Sequence, residues 1–297
     1  LKPPPFDYVS AGSVDEALAA IADGGDEAKV LAGGQSLIPL LSLRLAHPSL
    51  LVDLNALDEL RTIDIANGSL RLGSMVRHRD VERSDVVRTS MPLLSLVMPF
   101  VGHAAIRSRG TVGGSLAHAD PAAELPAVAT ALDASFSVRS RERGDRTIAS
   151  DDFFEGYFTT ALQPDEVLLS VTFPVAPANT GYAVEEVARR HGDFAMVGAV
   201  AAVTIDSGSG NVSDARLALI NVAEKPVRAR DAEKALVGAS PSKSAFGDAA
   251  ELAVRDLDPS GDLHASPAYR RRVAMVCVRR ALEQAARRAT ESQGGRP

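Results

Sequence analysis

The sequence predicts an α+β protein built in two parts. Three observations predict it. Strand and helix signals alternate through the first 55 residues, a proline-punctuated segment at 174–180 breaks the pattern, and a β-rich stretch followed by three helical patterns closes the chain. The expected organisation is a first domain over 1–175, with lobes of about 1–56 and 57–175, then a smaller α+β domain over 180–290 and a polar tail over 291–297.

The first lobe reads β-α-β-α-β. Apolar residues recur at helical spacing over 14–22, and Ser13 with Glu16 three positions on has the form of a capping box. Lys29-Val30-Leu31-Ala32 reads as a short buried strand, 36–44 as a short helix and 50–54 as a strand. Arg61-Thr62-Ile63-Asp64-Ile65 and Ser69-Leu70-Arg71-Leu72 flank Ala66-Asn67-Gly68, a hairpin signal. Helical segments are expected at 76–88 and 91–101, and an Ala/Leu-rich helix at 122–132 with Pro126 in its first turn. Strands are expected at 135–138, 146–149 and 168–173, and beyond the linker at 181–187, 197–205 and 215–221. Helices at 229–236, 245–254 and 267–289 follow. Ser240-Pro241-Ser242-Lys243 has the S-x-x-K form without its partner motifs and reads as a loop. The last helix carries Arg270, Arg271, Arg272, Arg279, Arg280, Arg287 and Arg288, either a solvated basic face or a subunit contact.

Composition narrows the function. At 297 residues and 45 % apolar, the chain can bury a substantial core. Tryptophan is absent and the net charge is −6, which argues against nucleic acid as a partner. No apolar run approaches the ~18 residues of a membrane span and no secretory signal is seen, so a soluble cytoplasmic protein is expected. Cys277 is the one cysteine, which excludes an intrachain disulfide, a thiolate iron–sulfur site and a Cys-rich zinc site; its apolar neighbours predict a packed thiol. None of the six histidines has metal-ligand spacing with another. Redox chemistry in this chain would fall to an organic cofactor or to metal held by a partner.

Two glycine pairs point to an anion. The first is Ala32-Gly33-Gly34-Gln35-Ser36-Leu37, and the second is Gly110-Thr111-Val112-Gly113-Gly114-Ser115. Glycine lets backbone approach a ligand closely, and successive exposed amides form a nest for phosphate oxygens. Ser36 and Thr111 add hydroxyl donors. Two such loops suggest one diphosphate gripped from two sides. Neither loop is a triphosphate P-loop or the G-x-G-x-x-G of the usual dinucleotide fold. Arg107 and Arg109 precede the second loop and could either fork onto phosphate or order the loop by binding carbonyls. Asp120 could cap the helix starting near Pro121, and a carboxylate at Asp120 or Glu124 could accept from ribose hydroxyls.

The first motif, and Thr111-Val112-Gly113-Gly114-Ser115-Leu116-Ala117-His118-Ala119-Asp120-Pro121-Ala122-Ala123-Glu124-Leu125-Pro126-Ala127, resemble the two flavin signatures of the medium subunit of molybdenum hydroxylases. That family includes the flavoprotein subunits of carbon monoxide dehydrogenase, xanthine dehydrogenase and bacterial N-heterocycle hydroxylases. Pro3-Pro4-Pro5-Phe6-Asp7-Tyr8 and Leu50-Leu51-Val52-Asp53-Leu54-Asn55 fit it too, and the resemblance covers essentially the whole chain. Ser115 stands where relatives often have Asn, Glu124 where they usually have Asp, and Glu186 where many have Lys.

The resemblance implies a two-lobed FAD-binding domain of the vanillyl-alcohol-oxidase/PCMH type. It implies FAD contacts at Ala32, Gly33, Gly34, Gln35, Ser36, Leu37, Thr111, Val112, Gly113, Gly114, Ser115, Ala117, His118, Glu124 and Leu168, with Glu124 on the ribose. It places Asp193-Phe194 near the flavin from the second domain. It also implies partners: a large molybdopterin-binding subunit with the molybdenum–pterin, and a small subunit with the iron–sulfur clusters, in a dimer of heterotrimers. The expected function is an electron-transfer subunit that passes electrons from those clusters through FAD to an outside acceptor, with no catalytic side chain and no metal of its own. The alternative is a stand-alone flavin oxidoreductase with its own substrate pocket.

Overall fold

Three short parallel strands organise the N-terminal lobe in the computed structural model, which describes residues 2–294. β1 (Asp7–Ser10), α1 (Val14–Gly24), β2 (Ala28–Leu31), α2 (Leu37–Ser42) and β3 (Leu50–Asp53) follow one another, and the strands pair in the order β1-β3-β2. Val14, Ala17, Leu18 and Ile21 recur at helical spacing and bury one face of α1. Ser13 Oγ accepts from the Glu16 amide at 3.1 Å. The Glu16 carboxylate returns to the Gly12 amide at 2.7 Å, one residue earlier than a capping box requires.

The second lobe begins with the expected hairpin, β4 (Ile63–Ala66) and β5 (Ser69–Gly73). Asn67 (φ +52°) and Gly68 (φ +71°) both take the left-handed conformation its turn requires. Short helices follow: α3 (His78–Arg83), α4 (Asp85–Ser90), α5 (Pro92–Val97), α6 (Ala104–Arg107), α7 (Val112–His118) and α8 (Glu124–Ala131). Then come β6 (Ser135–Ser140), β7 (Gly144–Ala149), α9 (Ser150–Phe153), the small pair β8 (Phe154–Gly156) and β9 (Thr159–Thr160), and β10 (Glu166–Pro174). The antiparallel sheet order is β4-β5-β10-β6-β7. Central β10 serves two cores. Val167 and Leu169 enter the core of the first lobe, while Leu168, Val171 and Phe173 enter the principal core. A register shift between Leu168 and Ser170 allows this.

The C-terminal part is a four-stranded antiparallel sheet, β11 (Thr180–Val187), β12 (Val197–Ile205), β13 (Val212–Ile220) and β14 (Val227–Arg228), with α10 (Arg230–Leu236), α11 (Lys243–Val254) and α12 (Pro267–Gly294). Alternation sorts its two faces. Ala183, Val197, Ala199 and Leu217 share a core with α12, whereas Tyr182, Val200, Ala202, Ala218 and Ile220 belong to the principal core of the second lobe. α12 packs directly on Gly181, for a Cβ there would lie 2.0 Å from the Ala285 carbonyl oxygen.

Some elements depart from expectation for local reasons. The helix expected over 76–88 breaks at Ser84, whose Oγ caps α4 by accepting from the Val87 amide at 3.2 Å. The next ends at Val97 and passes into a 3₁₀ turn containing Pro99. The helix expected from 122 begins at Glu124. Asp120 caps the preceding turn instead of the helix, its Oδ1 accepting from the Ala122 amide at 2.9 Å. The segment read as a loop through Lys243 ends a residue sooner, because Ser242 Oγ caps α11 and Lys243 is its first residue. α12 runs past the expected start of the tail to Gly294, and residues 295–297 of that tail lie outside the described residues.

Some arginines of α12 are exposed, as a solvated basic face requires, while others bond within the chain, which neither reading of the run foresees. Arg272, Arg279, Arg280 and Arg287 are exposed. Arg270 is buried and donates to the carbonyls of Met196 (2.5 Å) and Asn221 (3.0 Å) and to Asp262 (2.6 Å). Arg288 donates to the Tyr182 carbonyl at 2.6 Å. Cys277 is the buried thiol expected, and burial pushes it up to about 11. Among the described residues, no helix is long and apolar enough to cross a membrane.

Candidate cofactor site

The two glycine loops touch. Gly33 packs directly on the second loop, so that a Cβ there would lie 2.4 Å from the Arg109 carbonyl oxygen and 2.8 Å from Gly110 Cα. A Cβ on Gly114 would reach to 3.5 Å from Ala32 Cβ. A polar chain, not apparent from the sequence, ties the same junction. Tyr8 Oη donates to Asp53 (2.5 Å), Asp53 accepts from the Asn55 amide (2.8 Å), and Asn55 Nδ2 donates to the Ala32 carbonyl (2.9 Å). Arg77 then donates to Asn55 Oδ1 (2.5 Å) and to the Arg109 carbonyl. The only signal of it in the sequence is the Asp53-Leu54-Asn55 triplet at the end of β3.

The first loop keeps its donors free. Gly34 takes φ +72° and Gln35 Nε2 donates to the Gly33 carbonyl at 3.0 Å, which fixes the turn. Among the described residues, none of the backbone amides from Gly33 through Leu37 donates a hydrogen bond within the chain. All five residues are half-buried, so these amides lie at the surface of a shaped site.

The second loop is built differently from the nest expected of it. The amides of Val112 and Gly113 donate to the carbonyls of Val76 and Ser74, each at 2.9 Å. The Gly114 amide donates to Thr111 Oγ1 at 3.0 Å and the Ser115 amide to the Thr111 carbonyl at 3.0 Å. Four of its amides are thus spent inside the chain. Its glycines serve close packing: a Cβ on Gly113 would lie 2.4 Å from Ser74 Cβ, and one on Gly114 would lie 2.7 Å from Thr111 Oγ1. What this loop offers is a face. Gly114, Ser115, Ala117 and His118 are half-buried along one side of α7, while Val112, Gly113 and Leu116 are buried beneath. Burial holds the His118 imidazole below its usual range against the pull of Asp120, and its ring centroid lies 5.1 Å from that of Phe158.

The remaining candidates fall in different places. Arg107 is engaged within the chain: it forks onto Glu82 with both bonds at 3.0 Å and donates to the carbonyls of Val101 and Gly102, so of its two readings the structure favours loop ordering. The Arg109 side chain is exposed and has no bond among the described residues. Leu168 is buried in the principal core; its neighbour Leu169 accepts from the Ser74 amide, and Ser74 in turn holds Gly113. Phe194 is exposed, in a segment bounded by Gly192 at φ +85°.

Two carboxyls on the second lobe and the C-terminal sheet stand out. Glu124, the first residue of α8, is 5 % exposed, and its carboxyl meets its own backbone amide but no other residue's donor among the described residues. Burial pushes Glu124 up to about 7, opposed by the bond from its own amide and helped by the Asp120 charge. Burial and then the Glu124 charge push Glu186 up to about 8. Because its folded-state affinity for the proton exceeds the ordinary carboxylate value, Glu124 favours the folded chain at low pH. That contribution is lost as pH rises through about 7. Glu124→Gln is therefore expected to raise the melting temperature of the FAD-free chain at pH 8 and to leave it nearly unchanged near pH 4.5. Thermal denaturation at the two pH values checks this, and equal effects at both would remove the buried-charge explanation.

Residues 4–176 match the family described as FAD binding domain in molybdopterin dehydrogenase, and residues 182–285 match the CO dehydrogenase flavoprotein C-terminal domain. The chain belongs to this family of flavoprotein subunits. It is 42 % identical to the 6-hydroxypseudooxynicotine dehydrogenase complex subunit alpha of Paenarthrobacter nicotinovorans, over 97 % of both chains. It is 36 % identical to the carbon monoxide dehydrogenase medium chain of Hydrogenophaga pseudoflava, over 95 % of this chain and 98 % of that one. The solved structure of carbon monoxide dehydrogenase from the same organism, lacking the Mo-pyranopterin moiety of its cofactor, superposes with a TM-score of 0.94 at 38 % identity, over 97 % of this chain and 99 % of that chain. Quinoline 2-oxidoreductase from Pseudomonas putida 86 superposes with a TM-score of 0.92 at 38 % identity, over 97 % and 99 %. As a member of the family, the chain is an oxidoreductase component with an FAD-binding domain followed by a C-terminal flavoprotein domain.

Proposed function

We propose that the two glycine loops together hold the diphosphate of FAD, and that the chain works as the electron-transfer subunit of a molybdenum hydroxylase. The observation that carries the site is the contact of Gly33 with Arg109 and Gly110, beside a run of unspent amides from Gly33 through Leu37. Those amides and the Ser36 hydroxyl supply donors to phosphate oxygens. The half-buried face of α7, with Thr111 at its head and Ser115, Ala117 and His118 along it, closes the other side. Glu124, buried and bonded by no other residue's donor, accepts from ribose hydroxyls. Leu168 backs the site from the core. Ala32 and Gln35 fix the first turn, and Val112 and Gly113 fix the second.

Bound FAD supplies the redox chemistry, taking electrons from partner clusters and delivering them to an outside acceptor. The chain's own residues bind, orient and enclose it. None is placed as a general acid or base. Relatives named as a medium chain and as a subunit of a dehydrogenase complex support a large molybdopterin-binding partner and a small iron–sulfur partner. We place these in a cytoplasmic dimer of heterotrimers. The domain division at 176–180 is supported by the two family matches, which end at 176 and resume at 182.

Gentle purification from the native host tests this reading. The expected result is one flavin per chain by visible absorbance, with two further polypeptides, molybdenum and iron in the same peak. A folded chain that neither carries flavin nor takes up added FAD would overturn it.

A further inference from the structure

The C-terminal sheet turns one acidic side chain toward Glu124, the proposed ribose acceptor. Glu186 shares the face of β11 that carries Tyr182 and Val184 into the principal core, whereas Glu185 faces α12 and accepts from Gln284 Nε2. Its register partner across the sheet is Gly198, so β12 places no side chain beside the carboxyl. Glu186 Oε2 is buried and has no hydrogen-bond partner among the described residues. A polar atom so placed is costly unless a ligand or a proton completes it.

Its charged surroundings are one-sided. Glu124 faces it from α8, with Asp120 acting on Glu124 from the same lobe. The Cys277 thiol of α12 feels Glu185 and Glu186 and, with opposite sign, Arg280. Arg288 of the same helix is engaged with the Tyr182 carbonyl. β12 and α5, the other elements packed on β11, carry no titratable side chain. Two ionised carboxylates here would set like charges together in a half-buried space. A proton on Glu186 removes the conflict and converts the orphaned oxygen into a donor.

We propose that Glu186 stands protonated beside the bound dinucleotide and donates a hydrogen bond to an acceptor atom of FAD, while Glu124 is the ionised member of the pair. This rests on the FAD site being at the glycine loops. Glu186 is thereby a binding residue contributed by the C-terminal domain, and its proton makes FAD retention sensitive to alkaline pH.

The test uses the full chain stripped of flavin, with FAD titrated by flavin fluorescence at pH 7 to 9, for the unaltered protein and for Glu186→Gln. With the acid titrating near 8, the unaltered chain is expected to lose about tenfold in FAD affinity across that range. The Gln amide donates without titrating, so its dissociation constant stays flat and lies within a few-fold of the unaltered value at pH 7. Infrared difference spectra of the flavin-free chain between the same pH values should show a protonated-carboxyl signal that Glu186→Gln cuts back to the smaller share left by Glu124. Should that variant not fold, Glu186→Asp, which shifts the signal, gives the same comparison. A pH-independent affinity in the unaltered chain, or the same decline in Glu186→Gln, overturns the proposal and leaves FAD binding intact. Failure of a folded chain to bind FAD at any of these pH values overturns instead the reading on which it rests.

Discussion

Gly33→Ala is expected to weaken FAD binding about 10- to 100-fold, the equivalent of overpacking by roughly 1–3 kcal/mol. The added methyl would sit 2.4 Å from a backbone oxygen, that of Arg109, and 2.8 Å from Gly110 Cα. Neither atom belongs to a flexible side chain, so relief requires the two loops to separate. Arg77 and Asn55 resist that separation, because they tie Ala32 and Arg109 to one another. The strain must then be met by displacing the amides from Gly33 through Leu37, the groups proposed to meet phosphate. Flavin fluorescence titration of the stripped protein measures the loss, and circular dichroism establishes that the variant is folded. A folded Gly33→Ala protein that binds FAD as tightly as the parent would show that the loop junction does not shape the site.

Arg270→Met is expected to destabilise the chain by about 2–4 kcal/mol, the range for stranding buried polar partners. Its guanidinium is 3 % exposed as a residue and bonds the carbonyls of Met196 and Asn221 at once. Methionine fills much of the volume but donates nothing. Asn221 is itself a junction: its amide donates to the Pro121 carbonyl at 2.9 Å and its Nδ2 to the Ala195 carbonyl at 2.6 Å. The loss should therefore loosen the turn ahead of Glu124 as well as the β11–β12 connection. Urea unfolding followed by far-ultraviolet circular dichroism reads the change, since the chain has no tryptophan. A midpoint unchanged within error would return Arg270 to the solvated basic face read from the sequence.

Local signals carried much of this architecture. Asn67-Gly68 dictated a hairpin, Ser13 a helix start, and the β-rich run over 197–205 a strand that the structure reproduces residue for residue as β12. Where the reading slipped, a tertiary or side-chain contact had overridden a local pattern. Ser84 and Asp120 each used a side-chain oxygen to satisfy a nearby amide and so moved a helix boundary. α6, α9, β8, β9 and β14 are too short for any periodicity to mark them. For the site, both glycine loops are legible as motifs, but the sequence offers their glycines as room for a ligand, whereas Gly33 and Gly113 are packed against protein atoms. What each glycine makes room for was not legible. Gly113 accommodates Ser74 and Gly33 accommodates Arg109, partners 39 and 76 positions away in the numbering, and no spacing rule reports such distant contacts. Arg270 was hidden for the same reason, since a run of arginines looks alike until one of them is seen to turn inward.

The principal core passes from Leu70 through α8 into Ile220 of the C-terminal sheet without a polar layer between them. The peptide at 174–180 is thus a covalent joint across a seam already welded by oil. Cutting it is expected to leave two fragments that stay in one particle, held by the apolar face they share.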